Sequence, residues 1–102
     1  MDTYADQSCM GQGDALLALT RTCISRQEYH AAATHVRKAL GLDPARPEAL
    51  NLQGALLEMN RDRNTARKYY RAALAFDPAY QPAQINLSRT LPWCLPGQIQ
   101  LG

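Results

Sequence analysis

Few side chains in this sequence are spaced to do chemistry. His30 and His35 are five residues apart, which on a helix separates them by about 140° and keeps them off one ligand. A metal site there needs further Cys, His or carboxylate partners, so both read as surface or boundary residues. Cys9, Cys23 and Cys94 form no CxxC pair and are too scattered for a disulfide framework. Cys23 falls on an apolar stripe and reads as a small core residue; Cys9 and Cys94 lie in the tails without a basic neighbour. Gly11-Gln12-Gly13 follows no strand pattern and lacks the third glycine and the lysine of a phosphate loop. Glu48 and Glu58 are ten residues apart, nearly three helical turns, too far for a paired-carboxylate site. The expectation is no catalysis, no metal and no cofactor.

One charged segment could bind something. The net charge is +2, but residues 1–60 sum to −2 and residues 61–71 to +4. On a helix Arg63, Arg67 and Arg71 recur every four residues and form one stripe, suited to phosphates or an acidic partner. The plainer reading is a solvated outer helix face. Five basic residues with no second basic segment make a weak nucleic-acid footprint.

The elements that would carry these residues follow from composition and pattern. At 102 residues, 46% hydrophobic and 20% charged, the chain has the composition of one globular domain. No apolar run reaches the roughly 18 residues of a membrane span. The first residues lack the basic start and apolar stretch of a signal peptide, so no membrane insertion and a cytoplasmic location are expected. There is one Phe and one Trp, against five Tyr and abundant alanine. Small residues in place of large ones predict helices packed close together.

Asp43-Pro44-Ala45 and Asp77-Pro78-Ala79 stand thirty-four residues apart. Sliding residues 13–46 onto 47–80 gives nine identities: Ala15/Ala49, Leu16/Leu50, Ala32/Ala66, Arg37/Arg71, Ala39/Ala73, Leu40/Leu74 and the three positions of the tripeptide. Each unit reads as two helices. The first runs from about Asp14 to Ser25 with Leu16, Leu19 and Cys23 inward, and the second from Glu28 to Leu40 with Ala32, Val36 and Ala39 inward. The third opens at Pro47, where a missing N–H costs nothing, and continues through Met59 with Leu50, Gln53-Gly54 and Leu57 on one stripe. A polar turn over 60–64 precedes a helix from Thr65 to Phe76, burying Ala66, Tyr69 or Tyr70, Ala73 and Leu74. Asp77-Pro78 stops it. Pro82 opens a fifth helix with Ile85, Leu87 and Leu91, which Pro92 ends. Residues 1–12 read as a flexible arm and 92–102 as an apolar tail. For that tail three readings stand: Trp93, Leu95 and Ile99 fold back over the fifth helix, they dock on another copy, or the tail is disordered.

On the period, the small residues and the closing prolines, the sequence resembles the tetratricopeptide repeat family. Gly54 matches its small residue midway along the first helix. Ala66 and Ala73 match its two alanines, Tyr70 the aromatic between them, and Pro78 its final proline. The first unit fits at Ala32, Ala39 and Pro44 but carries Val36 for the aromatic and Thr20 for the glycine. Gln27-Glu28-Tyr29 resembles the family's inter-helix turn. The resemblance implies an all-α fold, a short right-handed α-solenoid of antiparallel helix pairs with five helices: units 13–46 and 47–80, then a capping half-unit 81–91.

It also implies a scaffold that holds a partner peptide or helix in a concave groove, with little ordering cost on its own side. The family's groove positions fall on Leu17, Arg21 and Ile24, on Glu48, Asn51, Ala55 and Glu58, and on Ile85 and Arg89. Asn51 is the most suggestive, because a groove amide can hold an extended peptide's backbone. A chaperone-tail clamp is not expected: Leu17 and Leu52 replace polar clamp residues, and Pro82 replaces its lysine. Solenoids usually need three units, so the alternative is a homodimer completing the stack through the fifth helix and tail. A further alternative is binding of an acidic partner or nucleic acid by the Arg63/Arg67/Arg71 stripe.

Overall fold

The computed structural model describes residues 2–90 and 97–102, with side chains from residue 11 onward. Five helices follow one another: α1 (Asp2–Ser25), α2 (Tyr29–Leu42), α3 (Pro47–Met59), α4 (Arg63–Phe76) and α5 (Gln81–Arg89). There is no strand among the described residues. The most extensive pairings are α1 with α2 and α3 with α4; α2 also meets α3, α4 meets α5, and α3 touches α1 and α5. Successive pairs thus stack side by side, an all-α, solenoid-like arrangement. The chain measures 54 × 29 × 17 Å with a radius of gyration of 13.9 Å, above the roughly 13 Å of a compact domain this size.

The turns explain the order. After α1 the Gln27 N–H donates to Ile24 O (2.9 Å) and the Glu28 N–H to Cys23 O (2.7 Å). After α3 the Arg61 N–H donates to Glu58 O (2.9 Å) and the Asp62 N–H to Leu57 O (2.9 Å). These are the same bonds thirty-four positions on, and Gln27 and Arg61 both take left-handed backbone, φ 63° and 66°. The pattern is a Schellman helix end, normally given to glycine. The Asp-Pro-Ala segments are equally matched. Asp43 Oδ1 accepts from the Ala45 N–H (3.0 Å) and Asp77 Oδ1 from the Ala79 N–H (3.1 Å), so each aspartate ends one helix and turns the chain into the next. Asp62 caps α4 through the Thr65 N–H, and Pro47 sits in the first turn of α3.

The core is made largely of small residues. Ala32, Ala49, Ala55, Ala66, Ala73 and Ala83 are fully buried. Leu16, Leu17, Ile24, Val36 and Leu52 fill one cluster; Leu50, Ala73 and Ala83 form a second, and Leu40 packs against both. Gly54 is buried where α3 crosses α4. A Cβ there would stand 2.6 Å from Cε1 of Tyr70 and 3.2 Å from the Ala66 carbonyl oxygen.

Two expectations change. Residues 2–12 belong to α1 rather than to a flexible arm; Gly11 and Gly13 cost a helix about 1 kcal/mol each without ending it. A Cβ at buried Gly13 would meet Arg46 Nη1 at 2.9 Å, so this glycine lets the Arg46 side chain reach Asp14. Leu19 is 46% exposed, because α1 buries a wider face against α2 and α3, built from Leu16, Leu17, Thr20, Cys23 and Ile24. Ile85 is also exposed, and Asn86 beside it is buried. Of the two tyrosines, Tyr70 is fully buried and Tyr69 half-buried. Leu91, Trp93, Cys94 and Leu95, and the Cys9 side chain, lie outside the described residues.

Candidate functional site

The inner surface of the stack holds two fully buried amides, Asn51 on α3 and Asn86 on α5. Both sit mid-helix, flanked by apolar residues, where asparagine has poor propensity. They face each other, and Asn86 Nδ2 donates to Asn51 Oδ1 at 2.9 Å. That bond fixes the orientation of both amides and leaves Asn86 Oδ1 and Asn51 Nδ2 pointing at the groove.

Residues 97–102 of the same chain occupy that groove. The Gln100 N–H donates to Asn86 Oδ1 (2.7 Å), while Gln100 O accepts from Asn86 Nδ2 (2.8 Å) and Asn51 Nδ2 (2.9 Å). Both backbone groups of one residue are therefore read by side-chain amides, as a neighbouring strand would read them. One residue on, Arg21 Nε of α1 donates to Leu101 O at 3.2 Å. The Leu101 side chain packs against the cluster containing Leu17 and Ile24. The Gln100 side chain turns away and donates to Gln98 O (3.2 Å).

A second set of groups supports the first. Glu58 Oε1 accepts from Tyr70 Oη (2.7 Å) and from Arg89 Nη2 (2.7 Å), joining α3, α4 and α5. The Glu58 and Arg89 side chains are only 6% and 12% exposed, so this ion pair is largely desolvated. Burial, then the Glu58 carboxylate, hold the Tyr70 hydroxyl far above the usual phenol range. Arg89 Nη1 reaches Gly97 O at 3.4 Å, while its Nε is buried without a partner among the described residues. Glycine suits both ends of the segment. A Cβ at Gly97 would meet Arg89 Cδ at 3.3 Å, and one at Gly102 would meet Tyr80 Oη at 2.5 Å. Burial and the nearby Glu48 charge push the Tyr80 hydroxyl up as well.

The structure gathers Arg21, Asn51, Glu58 and Arg89 around the segment. Leu17, Ile24 and Ala55 are buried beneath it rather than lining it openly. Glu48 is drawn to Arg46, which donates to it at 2.8 Å and also pairs with Asp14; the two carboxylates raise the Arg46 pKa, Asp14 more than Glu48. Ile85 is exposed. Asn86, absent from the projected positions, is the α5 residue that bonds Asn51 and the segment, one residue beyond the thirty-four-residue step. The signal for it is the match of Leu50-Asn51-Leu52 to Ile85-Asn86-Leu87, thirty-five apart.

Elsewhere, His30 is exposed, His35 half-buried and Cys23 a buried free thiol. Arg63 and Arg71 of the basic stripe are exposed, while Arg67 is half-buried with an unpartnered Nε. No helix among the described residues is long and apolar enough to cross a membrane. No family model matches the sequence, and no solved structure matches the chain.

Proposed function

We infer that this chain is a non-catalytic, tetratricopeptide-like interaction module that holds an extended segment of a protein partner along its concave face. One observation carries the reading: the Asn51–Asn86 couple binds both the N–H and the C=O of a single residue of an extended segment. Side-chain amides aimed at a backbone give a seat that tolerates many sequences. Arg21 extends this seat by one carbonyl, and the apolar floor below it accepts a side chain. The groups that touch the segment are amide and guanidinium donors and an amide acceptor aimed at main chain, which suits holding a backbone.

The test is capture of a partner by the full chain, repeated with the Asn51→Ala, Asn86→Ala double variant. Loss of capture by a variant that still melts cooperatively is the expected result. Undiminished capture refutes the groove as the binding site.

A further inference from the structure

We propose that residues 97–102 sit in the partner's own seat, so that the groove takes a segment with an apolar side chain one residue beyond the amide-held position and takes it only by displacing this strap. The inference rests on the reading of the groove as a peptide seat and adds what the peptide must look like and what it competes with.

The contacts define the occupant. Every hydrogen bond between the groove and the strap goes to main chain: Gly97 O, Gln100 N, Gln100 O and Leu101 O. No strap side chain is read by a polar group of the helices, and the Gln100 amide bonds only within the strap. Side-chain preference therefore comes from packing. Leu101 rests on the apolar cluster, whereas Ile99, two residues earlier, is half-buried among the charged side chains of Glu58, Arg61, Arg63 and Arg89. An incoming segment therefore needs an apolar residue at the Leu101 place, one residue beyond the position whose backbone the two amides hold.

The same contacts make the competition unavoidable. Asn86 spends its acceptor and a donor on Gln100, and its Nδ2 also serves Asn51. A second backbone cannot be bonded while the first is in place. The strap follows α5 in the same chain with only residues 90–96 between them. A groove open one-tenth of the time weakens any partner by roughly tenfold.

The experiment uses a fluorescently labelled hexapeptide of sequence Gly-Gln-Ile-Gln-Leu-Gly, titrated by anisotropy. It is compared on the full wild-type chain and on a Gln100→Pro, Leu101→Ser variant, which loses the strap's N–H donor and apolar anchor but keeps every groove residue. The expected result is binding roughly tenfold tighter to the variant. That gain is abolished by adding Asn86→Ala, and by replacing the peptide's leucine with serine. Equal affinity for wild type and variant overturns the strap as competitor while leaving the peptide seat intact. No binding to a cooperatively melting variant overturns both. Hydrogen exchange on the wild-type chain gives a readout that does not depend on the variant. The Gln100 amide is expected to be protected alone and to lose that protection with saturating peptide; an unprotected Gln100 amide overturns the proposal. So does a strap held in trans, seen as a dimer by sedimentation at micromolar concentration.

Discussion

Gly54→Ala tests the packing on which the groove is built. The added methyl would lie 2.6 Å from Cε1 and 2.8 Å from Cδ1 of Tyr70, well inside contact distance. The Tyr70 ring is fully buried and its hydroxyl is tied to Glu58, so it has no free direction in which to yield. Overpacking of this kind costs about 1–3 kcal/mol, and the site belongs at the upper end because ring and backbone are both struck. Alanine returns about 1 kcal/mol of helix propensity, leaving a net loss of about 2 kcal/mol. For a chain of this size that lowers the melting midpoint by about 8–16 °C. Gly41→Ala in α2 is the control: a Cβ there meets nothing within 4 Å, and it should stabilise by about 0.5–1 kcal/mol. Urea unfolding followed by circular dichroism measures both. A Tyr70→Leu background should shrink the Gly54→Ala penalty, because the struck atoms are gone. If Gly54→Ala matches or exceeds wild-type stability, or adds independently of Tyr70→Leu, the account of Gly54 is wrong.

Three further perturbations address the turns and the support of the groove. Arg61→Gly relieves a left-handed residue at φ 66°; a non-glycine residue there costs about 1–2 kcal/mol. Glycine's larger chain entropy offsets part of this, so a gain of about 0.5–1 kcal/mol in urea unfolding is expected, and any loss contradicts the assignment. Glu58→Gln leaves Arg89 largely buried without its countercharge and should cost about 3 kcal/mol. Adding Arg89→Met should recover most of that loss, whereas additive penalties would show that the pair does not act as a unit. Tyr70 and Tyr80 have hydroxyls whose folded pKa is raised. Their contribution is therefore complete below the unfolded phenol value of about 10 and is lost above it, as the unfolded chain ionises first. Urea midpoints should fall between pH 9.5 and 11 and fall less steeply in Tyr70→Phe; identical slopes refute the linkage.

The sequence made the helices legible because their ends are written in local chemistry. Asp-Pro-Ala stops two helices by the same Asx turn, and small residues at Ala32, Gly54, Ala66 and Ala73 mark where helices cross. The face of α1 was harder to read, since Leu17 and Leu19 are equally apolar and only contact with both α2 and α3 decides which is buried. The groove was half legible. Arg21, Asn51, Glu58 and Arg89 follow from the groove positions that the family resemblance implies. Asn86 does not, because α5 presents to Asn51 a residue one step beyond the thirty-four-residue register. The tail was legible only as an apolar segment with folding back over the fifth helix as one alternative; its seat was not, because its bonds are made by main chain and backbone groups carry no signature in a sequence.

The groove and the fold draw on separate interactions, which lets one open without the other. Tyr70, Glu58 and Arg89 bind three helices together, and their one bond to the strap, at 3.4 Å to Gly97 O, is the longest the segment makes. The Asn51–Asn86 bond likewise survives removal of the strap. The strap's departure exposes two amide groups and the Arg21 guanidinium beside the apolar floor under Leu101. Water satisfies the polar groups, where an apolar floor alone would collapse or aggregate. Loosening the strap by Gln100→Pro with Leu101→Ser should therefore lower the urea midpoint far less than Glu58→Gln, although the strap makes the greater number of hydrogen bonds. A loss equal to that of Glu58→Gln would mean the segment is a structural part of the core, and exchange with a partner would then require unfolding the stack.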